Sequence, residues 1–226
     1  MSEAASGPRQ LVLALPHAES FAREDFLVGP SNAAALTLIE HWPDWPNRSL
    51  ALIGPDGSGK SHLAAIWAHA AGARILSAKL LAQSDLPGAL ATGALVLEDL
   101  AFAGLDERAL FHLLNLAREQ GAYLLITSRS PLVSFPVTIR DLASRLRALP
   151  SVTLSAPDDT LLRLLIVKLA ADRQLSVDET LVNFLVNRIE RSCAGARAAI
   201  ARLDEEAMRQ RRPVTRALAT ELFRDF

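Results

Sequence analysis

The chain has 226 residues, half of them hydrophobic and 22% charged, which is enough apolar material for a substantial globular core. A formal net charge of −1 excludes a uniformly basic coat for nucleic acid, so no strong direct DNA binding is expected and any basic surface must be local. One cysteine rules out an intramolecular disulfide and no Cys/His cluster offers a structural zinc site. With no apolar run of spanning length and no signal sequence, the expectation is a soluble cytoplasmic protein with no membrane attachment.

Residues 1–9 are small and polar and read as disordered. In the apolar tract that follows, Leu11, Leu13 and Leu15 alternate as they would in an edge strand packed on this domain's own surface. Ser31 or Asn32 is placed to cap a helix carrying Ala34, Leu38, Ile39 and Trp42. The run Trp42-Pro43-Asp44-Trp45-Pro46 ends that helix, and its two tryptophans read as anchors between helix and sheet. Strand-length apolar runs then recur at 49–54, 73–78, 93–99, 122–128 and 151–155, with helical periodicity between them. One such helix spans 107–119, with Leu110, Leu113, Leu114 and Ala117 on one face. This alternation predicts βαβ units and a five-stranded parallel sheet buried on both faces. Beyond Pro157 the strands stop, and helices read at 158–172, 178–191, 194–210 and 215–223. The expected organisation is a tail over 1–24, an α/β nucleotide-binding subdomain over 25–157 and a helical lid over 158–226.

Between the first strand and the helical HLAAIWAHA stands GPDGSGKS, residues 54–61, which fits GxxxxGK[ST] in full. Its glycines, Gly54, Gly57 and Gly59, let backbone N–H groups turn inward around phosphate oxygens at a helix N-terminus. Lys60 would reach the outer phosphates of ADP or ATP, and the Ser61 hydroxyl would ligate Mg²⁺. ALVLEDL ends a buried strand with Glu98, suited to hold the Mg²⁺ through water, and Asp99, suited to orient or activate an attacking water. Thr127 and Ser128 end the fourth strand, either beside the γ-phosphate or as helix caps. Arg145 stands one helical turn after Asp141, where an i,i+4 ion pair would account for it. Arg197 lies in an arginine-rich stretch that would serve equally as a solvated face. Cys193 reads as an inert small residue of the lid.

Together these pieces, over about residues 25–223, resemble an AAA+ P-loop module, and more narrowly the core of the bacterial replication initiator DnaA. DFLVGPSN resembles the initiator's adenine-side signature, which implies that Phe26, Val28, Gly29 and Asn32 lie near the base. LEDLAF stands in the position of its metal-binding strand and ITSR in that of its first sensor. DLASRL resembles its arginine-finger segment, implying Arg145 as the finger, and AGARAAIARL its second-sensor helix, implying Arg197 over the phosphates. The sequence stops at Phe226, directly after the lid, so the initiator's DNA-binding domain is expected to be missing, and the 77–93 segment is short for its single-strand-binding helices. Gln10, Leu11, Leu13 and Leu15 resemble the peptide that docks bacterial proteins on the replicative sliding clamp, with Ala14 where a proline is often found. The combination resembles the Hda/HdaA family, regulatory inactivators of DnaA. That likeness implies a clamp-associated protein holding ADP or ATP with Mg²⁺, with weak or no ATPase of its own and open to forming a homodimer. Through Arg145 it would stimulate hydrolysis by DnaA and prevent re-initiation. The alternatives are an autonomous AAA+ ATPase such as a helicase loader, and a DNA-binding paralogue of the initiator.

Overall fold

A computed structural model describes residues 21–224. The α/β half runs α1 (Ala33–Glu40), β1 (Ser49–Ile53), α2 (Lys60–Ala71), β2 (Arg74–Ser77), a short α3 (Leu86–Ala89), β3 (Ala94–Leu100), α4 (Glu107–Gln120), β4 (Tyr123–Ser128), α5 (Arg140–Ala148) and β5 (Ser151–Thr153). All five strands pair in parallel, in the order β2-β3-β4-β1-β5. Alternation along each strand divides the apolar side chains between two cores. Ala51, Ile53, Leu95, Leu97, Leu124 and Ile126 pack with Leu110, Leu113, Leu142 and Leu146 from α4 and α5. Leu50, Leu52, Val96 and Leu125 pack on the other face with Leu36, Ile39, Leu63 and Trp67 from α1 and α2. Trp45 stacks on Trp67 at 4.9 Å and Trp42 meets Tyr123 edge-on at 5.7 Å, so both tryptophans do anchor the N-terminal helix region to the sheet. Because the strands are parallel, the loops after β1, β3 and β4 emerge at one end of the sheet, where ligand crevices of such sheets form.

The lid comprises α6 (Asp159–Asp172), α7 (Glu179–Val186), α8 (Cys193–Gln210) and α9 (Arg216–Leu222). Its core is its own, with Leu162, Ile166, Leu185, Ile200, Leu203 and Leu218 all buried. Asp158, Asp178, Ser192 and Thr215 each accept a backbone N–H of the first helical turn, so every lid helix begins at a side-chain cap. The helix read over 178–191 is shorter than its periodicity suggests. It ends at Val186, and Ser192 is extended (φ −147°, ψ 157°) where it caps α8. Among the described residues no helix is long and apolar enough to cross a membrane.

Candidate functional site

The phosphate loop leaves β1 at Gly54 and enters α2 at Lys60. Gly57 (φ 67°) and Gly59 (φ 98°) hold left-handed backbone that a side chain would strain. Gly54 is fixed by crowding instead, since a Cβ there would lie 2.5 Å from the Leu154 carbonyl oxygen. The Lys60 side chain is buried, and its Nζ donates to the Gly54 and Pro55 carbonyls, both at 2.8 Å. Burial lowers its pKa from 10.5, opposed chiefly by the nearby Asp56 carboxylate. Ser58 Oγ is buried in the loop without a hydrogen-bond partner among the described residues. An orphaned hydroxyl inside a glycine-built cradle fits a phosphate, which would satisfy it.

Across the cavity, β3 departs from regular pairing between Leu97 and Leu100. Asp99 takes a left-handed φ of 58°, and its N–H donates to Thr127 Oγ1 at 2.8 Å. That irregularity lets two consecutive residues, Glu98 and Asp99, both line the cavity, where a regular strand would send them to opposite faces. Thr127 is therefore not a helix cap: its buried oxygen accepts from Asp99, and its own O–H is left to donate into the cavity. Ser61 and Glu98 supply a hydroxyl and a carboxylate, oxygen donors suited to Mg²⁺ held jointly with phosphate oxygens. Arg129, directly after β4, pairs with Asp56 at 2.8 Å and Asp99 at 3.5 Å.

The cavity, about 710 Å³, lies between the two halves. The lid contributes Lys168, Arg173, Cys193 and Arg197 to its walls. Burial pushes the Cys193 thiol up, as suits an inert residue, while its backbone N–H donates to the Gly57 carbonyl at 2.7 Å. From the DFLVGPSN segment, Phe26 and Asn32 line the cavity. Asn32 stands at the N-cap of α1 but its side chain makes no cap bond. It accepts from the Gly29 N–H at 2.9 Å and donates to the Leu27 carbonyl at 2.9 Å, shaping the 27–29 turn. Val28 and Gly29 stand outside the lining, the first exposed and the second packed towards Leu161. Gly54 reaches the site only through its carbonyl bond to Lys60.

Arg145 is placed differently from every other cation considered. It lies on α5, away from the cavity, with its guanidinium 5.3 Å over the Phe111 ring rather than against Asp141. Gln10, Leu11, Leu13 and Leu15, and the polar stretch before them, lie outside the described residues. Sequence reasoning passed over Arg129, His62 and Lys168 as site residues. Arg129 had a signal, a cation directly after the polar end of β4. His62 and Lys168 had none beyond helical spacing.

No family model matches the chain. The chromosomal replication initiator protein DnaA of Thermomicrobium roseum is 28% identical over 89% of the chain, which spans about half (49%) of that relative. Among solved structures, domain III of the Thermotoga maritima DnaA superposes with a TM-score of 0.74 at 21% identity, covering 91% of this chain and 96% of that one. DnaA from Aquifex aeolicus, solved with AMPPCP bound, gives 0.66 at 19% identity over 83% of this chain and 67% of that one. With its five-stranded parallel sheet, the chain has the α/β fold of the AAA+ domain of DnaA.

Proposed function

We propose that the chain is an adenine-nucleotide-holding regulator of chromosome replication initiation, presenting Arg145 to the active site of an ATP-loaded DnaA. The observation that carries this reading is the separation of its cations. Lys60 and Arg197 line the chain's own cavity, whereas Arg145 stands outside it on a helix whose Leu142 and Leu146 are buried. In its own site, Gly57, Gly59 and Lys60 cradle the phosphates, Ser61 and Glu98 hold Mg²⁺, and Phe26 and Asn32 form the base-side wall. Bound Mg²⁺ supplies charge neutralisation at the phosphates. Arg145, acting in trans, offers a planar fork to charge spreading over the partner's phosphate oxygens, an effect of about 10³–10⁵ in rate in the Ras–GAP case. Glu107 holds the helix that carries it: its carboxylate accepts from the Thr138 and Ile139 N–H groups and the Thr138 hydroxyl, immediately before α5. The 10–15 peptide, on its residue pattern, docks on the sliding clamp through its alternate leucines.

The test is DnaA-dependent ATP hydrolysis with this protein, clamp and DNA added singly and together. Stimulation should require all three and vanish in Arg145→Ala, with incomplete rescue by Arg145→Lys because a point charge lacks the fork. Lys60→Ala should weaken ADP binding in calorimetry, and the Leu11→Ala, Leu13→Ala double variant should lose clamp capture without a fall in melting temperature. Undiminished stimulation by Arg145→Ala would remove the finger from the reading. A second reading, an autonomous ATPase, draws on Glu98 and Asp99 both lining the cavity beside Ser61. Hydrolysis by this chain alone, independent of Arg145, favours it.

A further inference from the structure

The lid holds its arginines in two ways. Arg173, Arg191, Arg209 and Arg212 pair with Asp204, Asp159, Glu206 and Glu221. Arg188, Arg202 and Arg216 make no ion pair among the described residues and lie against aromatic rings instead. The Arg188 and Arg216 guanidiniums stand 5.3 and 6.0 Å from the centroid of Phe184, and that of Arg202 stands 5.3 Å from Phe223. Arg188 joins the two groups, because its Nη1 also donates to the Phe223 carbonyl at 3.2 Å. All three arginines are exposed. The carboxylates close enough to feel Arg216 and Arg202, Asp178 and Glu206, are engaged elsewhere. Asp178 accepts from the Leu181 N–H and the Thr180 hydroxyl, and Glu206 accepts from Arg209 and Gln210. Three cations gathered around two rings repel one another, and an anion laid across them relieves that repulsion.

We propose that this face of the lid, built from Arg188, Arg202 and Arg216, takes the phosphate backbone of duplex DNA without reading its sequence. A guanidinium is a planar fork that meets phosphate oxygens through two parallel bonds. Contact with a ring leaves each fork without an oxygen partner, apart from the donor that Arg188 spends on Phe223. The rings themselves favour a duplex over a single strand. Single strands are held by bases stacked on open aromatic faces. Here Phe223 is buried and Phe184 is half-buried beneath two arginines, so neither offers a base its face. A protein partner fits less well, because protein interfaces place apolar side chains at their centre and charges at the rim. On this surface the charges form the centre. Three phosphate contacts are few, so binding is weak and sensitive to salt, as suits a chain whose net charge is −1. Neither the cavity nor Arg145 takes part.

The experiment is fluorescence anisotropy of the full chain with a labelled mixed-sequence duplex of about 20 base pairs, across salt from about 25 to 200 mM. Arg188→Gln, Arg202→Gln and Arg216→Gln combined should weaken binding about tenfold or more at low salt. The slope of log affinity against log salt should become shallower by about 0.9 for each arginine removed. Arg118→Gln, an equal loss of charge at an exposed site on α4, should change affinity by less than about twofold. The triple lysine variant should keep the parental slope while binding more weakly, since it retains the charges and loses the forks. It also keeps the test decisive if the glutamine variant unfolds, which its melting temperature shows. The proposal is overturned by parent protein that binds no duplex at the lowest salt, or by a loss in Arg118→Gln as large as in the triple variant. It is overturned equally by a single strand of the same length binding as tightly as the duplex. A polyglutamate peptide that displaces the duplex more effectively than unlabelled duplex of equal charge would make the face an acidic-protein site, and that too overturns it.

Discussion

The α/β half and the lid face one cavity with different chemistry. The α/β half supplies backbone geometry, with left-handed glycines and a lysine held by carbonyls, and carboxylates at a strand end. The lid supplies cations, Lys168, Arg173 and Arg197, on helices whose apolar faces close a core that no sheet residue enters. Contacts joining the halves among the described residues include the Cys193 N–H on the Gly57 carbonyl, Gly57 against Ser192, Gly29 against Leu161, and Lys168 paired with Asp25 at 2.8 Å. For a bound nucleotide, such an arrangement would fix the phosphates from one side and leave their charge balance to the position of the other. The lid should then behave as a separate packing unit.

The sharpest way to break that comparison is to damage each core separately. Ile126→Ala in the sheet and Ile166→Ala in the lid each remove a fully buried side chain and should each cost about 2–5 kcal/mol. Ile126→Ala should lower the melting of the whole chain. Ile166→Ala should split off an early transition, seen by calorimetry, while the sheet melts near its parental temperature. A single shared transition in both variants would show that the halves unfold as one.

Gly57→Ala tests the coupling directly, and Gly72→Ala is its control. Both positions have positive φ (67° and 61°), so alanine at either carries the left-handed cost of about 1–2 kcal/mol. At Gly72 the added Cβ meets nothing within 4 Å, whereas at Gly57 it would lie 2.7 Å from Ser192 Cβ. Gly57→Ala should therefore destabilise more than Gly72→Ala and also weaken nucleotide binding, because the lid must withdraw. Equal effects would mean that the lid does not bear on the loop. Next in size is Ser192→Ala, which removes the buried cap of α8 and should cost about 1 kcal/mol.

The two halves also differed in how far the residues announced them. Alternating leucines in SLALI and ALVLEDL disclosed a sheet with two buried faces, and GPDGSGKS disclosed the loop that follows it. Capping residues Asp158, Asp178 and Thr215 marked where three lid helices begin. What stayed hidden depends on tertiary register. Nothing local to Asp99 predicts a left-handed backbone, which exists because the Thr127 hydroxyl on the neighbouring strand takes its N–H. The Arg129–Asp56 pair arises only once β1 and β4 lie side by side. Asn32 looked like a helix cap because its residue type suits one, yet its amide is spent on the preceding turn. Arg145 and Arg197 are alike in sequence, and only the fold sends Arg197 to the cavity and Arg145 over the Phe111 ring of α4.

The smallest expected effect lies at His62, where the segment before α1, the first turn of α2 and the lid's cations come together. Its ring meets Phe21 and Phe26 edge-on at 5.4 and 5.2 Å, and Nε2 lies 3.0 Å from the Ala22 carbonyl, so that nitrogen carries the proton and donates. Burial lowers the imidazole pKa from 6.5; the Ala22 carbonyl and Asp25 oppose the shift, and Arg197 and Lys168 reinforce it. A histidine with a depressed folded pKa binds fewer protons in the native state than in the unfolded chain just below pH 6.5. Stability should therefore fall as pH drops from about 6.5 towards the folded value, and this loss should be absent above that window. Glu107, Asp178 and Glu206 also have lowered pKa values, through hydrogen bonds to their carboxylates. Their contributions are present above their unfolded values, 4.5 for the glutamates and 3.8 for the aspartate, and are lost only as pH falls further, so the two windows separate. His62→Gln keeps an N–H donor for Ala22 and removes the titration. Denaturant melts between pH 8 and 5 should show the variant losing less stability than the parent across the upper part of that range. Parallel slopes would mean that His62 is protonated as readily in the fold as outside it, and that the lid's cations do not press on the base of α2.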